Sequence, residues 1–233
     1  MMNMRSVALI TLAAACVACT TTNPRFQEGP DAEVTFDGLT RVEGTVMDVV
    51  WARRDIDLTS YDKVMLQSAG FEYRPVTGPI GGREGSTAMR RTSQTEFQIG
   101  PNTKEVFETE VQAALAEAVA TSDKYEIVDE PGPDVLLVRG GLLDVVSRVP
   151  PEPAGRGTVF IDSVGEATLV LEVRDSVSNA VYARAVDRRA AERQSTMMRS
   201  NTVTNRAEVR RLARRWGDQL RAGLERLLSE PVN

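Results

Sequence analysis

The chain's two thiols, Cys16 and Cys19, stand three residues apart, and no histidine occurs anywhere in its 233 residues. Arg5 precedes an apolar stretch from Ser6 to Ala18, and the polar run Thr20-Thr-Thr-Asn23-Pro24 follows Cys19 directly. A basic n-region, a short apolar h-region and small residues before the cut form an export signal. The stretch is too short for a permanent transmembrane helix, which needs about 20 apolar residues. The chemistry this spacing offers is lipidation. Cys16-Val17-Ala18-Cys19 resembles the lipobox, an aliphatic residue and two small residues before the cysteine that is diacylated. Cys19 is the expected acceptor because the polar linker begins right after it, although Cys16 fills the position where leucine is preferred. Cys16 is the alternative acceptor, with Ala13 at that position. An ordinary secretory signal and a short core helix are the competing readings of the segment.

The remaining residue types exclude much familiar catalysis. Without histidine there is no imidazole base, no Ser-His-Asp triad and no histidine metal ligand. If Cys19 carries lipid, the mature chain has neither a disulfide nor a thiol pair for metal or redox work. No metal and no cofactor is expected. Gly78 to Thr87 superficially resembles a phosphate loop but lacks the Gly-Lys-Ser/Thr ending, and no Gly-x-Ser-x-Gly elbow occurs. Asp129 and Glu130 are adjacent acids, but they stand at a predicted strand end beside Pro131, where exposed charge is ordinary. Arg83, Arg90 and Arg91 lie in a glycine- and proline-rich loop and are candidate binding residues, since binding residues often sit on loops held by a rigid scaffold. Asp187-Arg188-Arg189 reads either as a structural salt-bridge cluster or as part of a ligand surface.

The elements that would carry these residues can be read from periodicity. Residues 1–18 form the lipoprotein signal peptide and residues 19–35 a flexible tether. Residues 36–230 then make a single domain with a mobile loop over 70–103. Thr45–Trp51 and Val64–Gln67 read as strands. Asn102-Thr-Lys-Glu105 offers a capping box, and Phe107, Val111, Leu115 and Val119 line one face of a helix near 104–121. Lys124–Asp129 reads as a strand, and 134–146 as one long strand with a bulge or bend at Gly140-Gly141. Strict alternation from Glu166 to Arg174 marks a half-buried strand that a hairpin loop at 175–179 returns antiparallel. Asn205-Arg-Ala-Glu208 offers a second capping box. The helix near 206–228 presents Val209, Leu212, Trp216, Leu220 and Leu224 on one face. The expected class is α+β, a mainly antiparallel sheet packed on one face by two helices.

Charge is unevenly spread. Twelve arginines against five acids between Arg184 and Arg226 give that region +7, and the rest of the chain after residue 18 carries −13. The asymmetry fits a basic helix lying against an acidic remainder, or a surface for an acidic partner. No nucleic-acid motif is present, so no nucleic-acid partner is expected.

Several segments together carry a family resemblance. Ser60-Tyr61-Asp62-Lys63-Val64-Met65-Leu66, Gly165-Glu166-Ala167 through Asp175-Ser176, Ala185 through Ala190, and Arg215-Trp216-Gly217-Asp218-Gln219-Leu220 recur in the order seen in the bacterial lipoprotein family called domain of unknown function 3313. The chain resembles that family over roughly residues 36–228. The resemblance implies an envelope lipoprotein with an α+β domain and brings no reaction and no catalytic residues. Because Thr20 rather than aspartate follows Cys19, outer-membrane attachment facing the periplasm is expected. The expected role is that of a non-catalytic interaction module, with an envelope protein or peptidoglycan as partner and the membrane held through the N-terminal lipid. A periplasmic enzyme of unrecognised type acting on envelope material is the alternative.

Overall fold

The computed structural model describes residues 24–54, 56–77, 96–150, 158–192 and 198–229. Its strands are β1 (Arg25–Phe26), β2 (Thr40–Glu43), β3 (Val49–Ala52), β4 (Lys63–Tyr73), β5 (Glu126–Ile127), β6 (Val135–Ser147), β7 (Phe160–Ile161), β8 (Ser163–Asp175), β9 (Val181–Glu192) and β10 (Met198–Arg199). The helices are α1 (Pro101–Val119), between β4 and β5, and α2 (Thr202–Ser229), after β10. Eight strands form one sheet in the order β1-β2-β3-β9-β8-β6-β4-β5, and β7 pairs with β10 separately. Neighbours are antiparallel except that β4 runs parallel to both β5 and β6. The α+β class expected from periodicity is the class observed.

Burial follows the pleat. Every odd-numbered residue of β8 from Ser163 to Asp175 is buried, and the even-numbered residues between them are only half-buried. Both helices cover the odd-numbered face. Val111, Ala114 and Val119 of α1 and Trp216, Leu220 and Leu224 of α2 join Leu136, Leu169 and Leu171 of the sheet in one core. The opposite face carries Glu166, Glu172, Arg174 and Arg184 in ion pairs.

The helices run parallel, which their cross-links make plain. Glu110 pairs with Arg206 at 3.3 Å, Glu117 with Arg214 at 3.1 Å, and Ser122 Oγ donates to Glu225 at 2.8 Å. Gly217 sits where they touch: a Cβ there would lie 2.6 Å from Ala118 Cβ and 3.0 Å from the Leu115 carbonyl oxygen. Both helix N-termini therefore lie at one end of the molecule.

Several boundaries differ from the sequence reading. Within the segment read as a tether, Phe26 is 6% exposed, pairs with Val42, and has the Arg54 guanidinium 4.6 Å over its ring, so the sheet already begins there. The loop set at 70–103 is shorter at both ends. β4 continues to Tyr73 because Phe71 and Tyr73 pack against Phe107, and Phe97 is buried and bridges to Ser147. α1 starts at Pro101 with Gly100 as its N-cap and no side-chain cap, not at the Asn102 box. α2 starts at Thr202, where Asn201 Oδ1 accepts from the Thr204 N–H at 3.0 Å. Glu208, expected in a capping box, is instead buried and ion-paired to Arg211. The strand at 124–129 is reduced to Glu126–Ile127, and that at 45–51 to Val49–Ala52. The bulges do not fall at Gly140-Gly141 of β6. One lies in β4 at Ala69, opposite them; the other is at Asp144, whose φ is 55°.

Candidate functional site

The parallel helices touch at Gly217 and part toward their N-termini, and the gap between them is a cavity of about 490 Å³. Six elements line it, and three carry most of its apolar wall. α1 contributes Val106, Phe107 and Val111; α2 contributes Val209, Leu212 and Trp216; β6 contributes Leu142 and Val145. The volume falls within the range of about 300–1,000 Å³ typical of small-molecule sites.

The β6 bulge shapes the floor. Asp144 and Val145 together oppose Ala167 of β8, so Val145 points into the cavity while Asp144 turns to the other face. Bulges that re-aim a side chain recur beside functional sites. Arg74 holds the turned residue by donating from Nε to Asp144 Oδ1 at 2.7 Å. That bond, foremost among the causes, holds the Asp144 carboxyl below its ordinary range and raises Arg74 further above its own. Past the bulge β6 and β8 come so close that a Cβ at Gly165 would meet the Val146 carbonyl oxygen at 2.2 Å. Glycine is required there.

Charge gathers at the rim. Glu110, Arg206 and Arg199 line the cavity, as do Asn201 and Asn205. Glu110 is held by both Arg206 and Arg210 at 3.3 Å. Behind this rim, on the open face of the sheet, the Glu166 oxygens accept from Arg188 Nη2 at 2.7 Å, Arg148 Nη2 at 3.2 Å and Arg74 Nη2 at 3.3 Å. Burial pushes the Glu166 pKa up, but the Arg188 bond and the charges of Arg188 and Arg148 outweigh it, so the carboxyl stays below its usual range. Both carboxylates are committed to arginines. Arg199 is exposed and has no acidic partner among the described residues.

The sequence-predicted residues fall elsewhere. Cys16, Cys19, Arg83, Arg90 and Arg91, with the loop at Gly78 to Thr87, lie outside the described residues. Asp129 and Glu130 are exposed at a turn. Asp187 is fully buried and structural. Its oxygens accept from Trp216 Nε1 at 2.8 Å, Arg189 Nε at 2.9 Å and Nη2 at 2.8 Å, and the Asp48 N–H at 3.2 Å. Eight of the eleven described arginines between 184 and 226 hold acidic partners, Glu110 and Glu117 of α1 among them, so the charge asymmetry is largely an internal match. The cavity wall was not singled out from sequence. Its signal was Val106, which is 44% exposed and lies beside the stripe begun by Phe107. Among the described residues no group of three or more His, Cys, Asp or Glu is placed to hold a metal ion, and no helix is long and apolar enough to cross a membrane.

One-sided cover of a mainly antiparallel sheet by two parallel helices, with a cavity between the helix starts, defines a two-layer α+β domain. The chain matches the family described as protein of unknown function (DUF3313) over residues 32–220, and it belongs to that family. No curated protein matches it. Among solved structures, protein XCC0632 from Xanthomonas campestris, of the DUF330 family, is similar at 11% identity and TM-score 0.40, covering 75% of this chain and 87% of that one. The PelC dodecamer from Paraburkholderia phytofirmans is similar at 12% identity and TM-score 0.34, covering 73% and 96%. A minor lipoprotein from Acinetobacter baumannii gives 12% identity and TM-score 0.25, covering 70% and 95%.

Proposed function

We propose that this protein is exported, held at the periplasmic face of the outer membrane by lipid on Cys19, and acts there as a binding module rather than an enzyme. The cavity between the helix N-termini carries the binding reading. Its interior is aliphatic and aromatic, and the carboxylate at its rim, Glu110, is tied to two arginines. The walls also bear on the partner. A sugar–peptide polymer entering this space would lose water without regaining its hydrogen bonds, a cost of about 1–3 kcal/mol per group. An apolar group on an envelope molecule fits better than peptidoglycan.

The anchor is tested by metabolic labelling with an alkyne fatty acid. Cys16→Ser should keep the label, and Cys19→Ser should lose it and either release the chain or leave it uncleaved. Label persisting on the Cys19 variant refutes the assignment. The binding reading is tested with the neutral fluorophore N-phenyl-1-naphthylamine, whose emission rises in an apolar site. Saturable binding that Val106→Glu abolishes supports it; emission unchanged by that substitution refutes it.

A further inference from the structure

We infer that the cavity receives an anionic amphiphile, its aliphatic chain between the helices and its charged head at the rim. This rests on the reading of the cavity as a binding site. Two independent features choose the ligand class. The interior is lined by Val106, Phe107, Val145, Val209, Leu212 and Trp216, which suits a flexible hydrocarbon chain. The rim is electropositive for a reason that side-chain counting misses. α1, of 19 residues, and α2, of 28, run parallel and both begin there, so the positive ends of two helix dipoles converge on the mouth. The first N–H groups of each helix have no acceptor within it. The rim acid Glu110 does not cancel this, because it is already paired with Arg206 and Arg210. Arg199, exposed and without an acidic partner among the described residues, adds a guanidinium suited to a carboxylate or phosphate. A zwitterionic or neutral head would gain less from all of these.

Two sources could supply such a molecule, a free fatty acid and an acidic phospholipid, and photolabelling separates them. The full-length protein in phosphatidylcholine nanodiscs is exposed to diazirine-bearing palmitate, phosphatidylglycerol, and the uncharged C16 alcohol, and labelled peptides are mapped by mass spectrometry. Palmitate or phosphatidylglycerol should label peptides within 103–111 and 201–216 about tenfold more than the alcohol, the order expected of two helix ends and one guanidinium. Whichever probe labels names the source. Arg199→Glu should bring the acidic probe down to the level of the alcohol, whereas Val106→Glu, at a half-exposed position, should lower both. Equal labelling by acid and alcohol, untouched by Arg199→Glu, overturns the anionic head while leaving an apolar site. Absence of label from those peptides with every probe overturns the binding site itself. Label seen only after residues 78–95 are exchanged for a Gly/Ser linker makes that segment the occupant, and overturns the proposal as well.

Discussion

Removing Trp216 separates packing from hydrogen bonding at the center of the domain. Its indole is 1% exposed, seated between α2 and the sheet, and its Nε1 donates at 2.8 Å to Asp187, which is itself fully buried on β9. Truncation to alanine empties a large aromatic site, at a cost of about 3–5 kcal/mol. It also takes one donor from a buried carboxylate. Trp216→Phe keeps most of the packing and loses that donor, so about 1.5–3 kcal/mol is expected, the range for bonds to charged groups. Asp187→Ala strands the half-buried Arg189, and breaking such a pair costs about 3–5 kcal/mol. A cycle of Trp216→Phe with Asp187→Asn should show coupling of about 0.5–3 kcal/mol. Urea unfolding followed by far-UV circular dichroism reads all five variants, the double one included, without relying on tryptophan emission. A loss below about 1 kcal/mol for Trp216→Ala would mean that the helix face is not stacked on the sheet as described. Additive single losses in the cycle would deny the indole–carboxylate bond any energetic role.

Two glycines of α2 should respond in opposite directions. Gly217→Ala forces the helices apart at Ala118 and should cost about 1–2 kcal/mol after its propensity gain, whereas Gly223, with nothing within 4 Å of an added Cβ, should gain about 0.5–1 kcal/mol as alanine. Equal shifts in urea midpoint would refute the close helix contact. Acid should expose the role of Arg74. Because the folded pKa of Asp144 is lowered, its contribution is complete above about pH 5 and is lost as pH falls through that lowered value. Arg74→Met should therefore reduce stability at neutral pH and flatten its decline below about pH 4, in denaturation measured across pH; an unchanged slope would count against the pairing.

The legible parts of this fold are those set by local periodicity. β8 was read from its alternation, and the α2 stripe from three- and four-residue spacing, because each pattern records which face meets the core. What failed has tertiary causes. Phe26 and Phe97 lie in stretches rich in polar residues, proline and glycine, and only their distant partners Val42 and Ser147 make them part of the sheet. The capping boxes at Asn102 and Asn205 lost to Gly100 and Asn201, as each helix begins earlier than its box. Asp187-Arg188-Arg189 was legible as a cluster, but the burial of Asp187 alone under Trp216 follows from α2 crossing β9, which no spacing encodes. The cavity depends on where two helices diverge. Val106 and Val209 carry a trace of it, but the sequence does not say that their helices run parallel.

The cavity is open at its mouth, so either water or a ligand fills it. Water gains little against Val106, Phe107 and Val145, since a stable buried water needs about three polar partners. An occupant with an aliphatic chain should therefore raise stability by mass action. At a free concentration one hundred times its Kd it adds about 2.7 kcal/mol, and for a domain of this size each kcal/mol shifts the melting temperature by about 2–4 °C. Calorimetry with laurate should show a rise of about 5–11 °C that Arg199→Glu reduces and Val106→Glu removes. A melting temperature indifferent to laurate at saturating concentration would mean that the cavity is a wet surface cleft, and the binding role would have to be sought on the open face of the sheet.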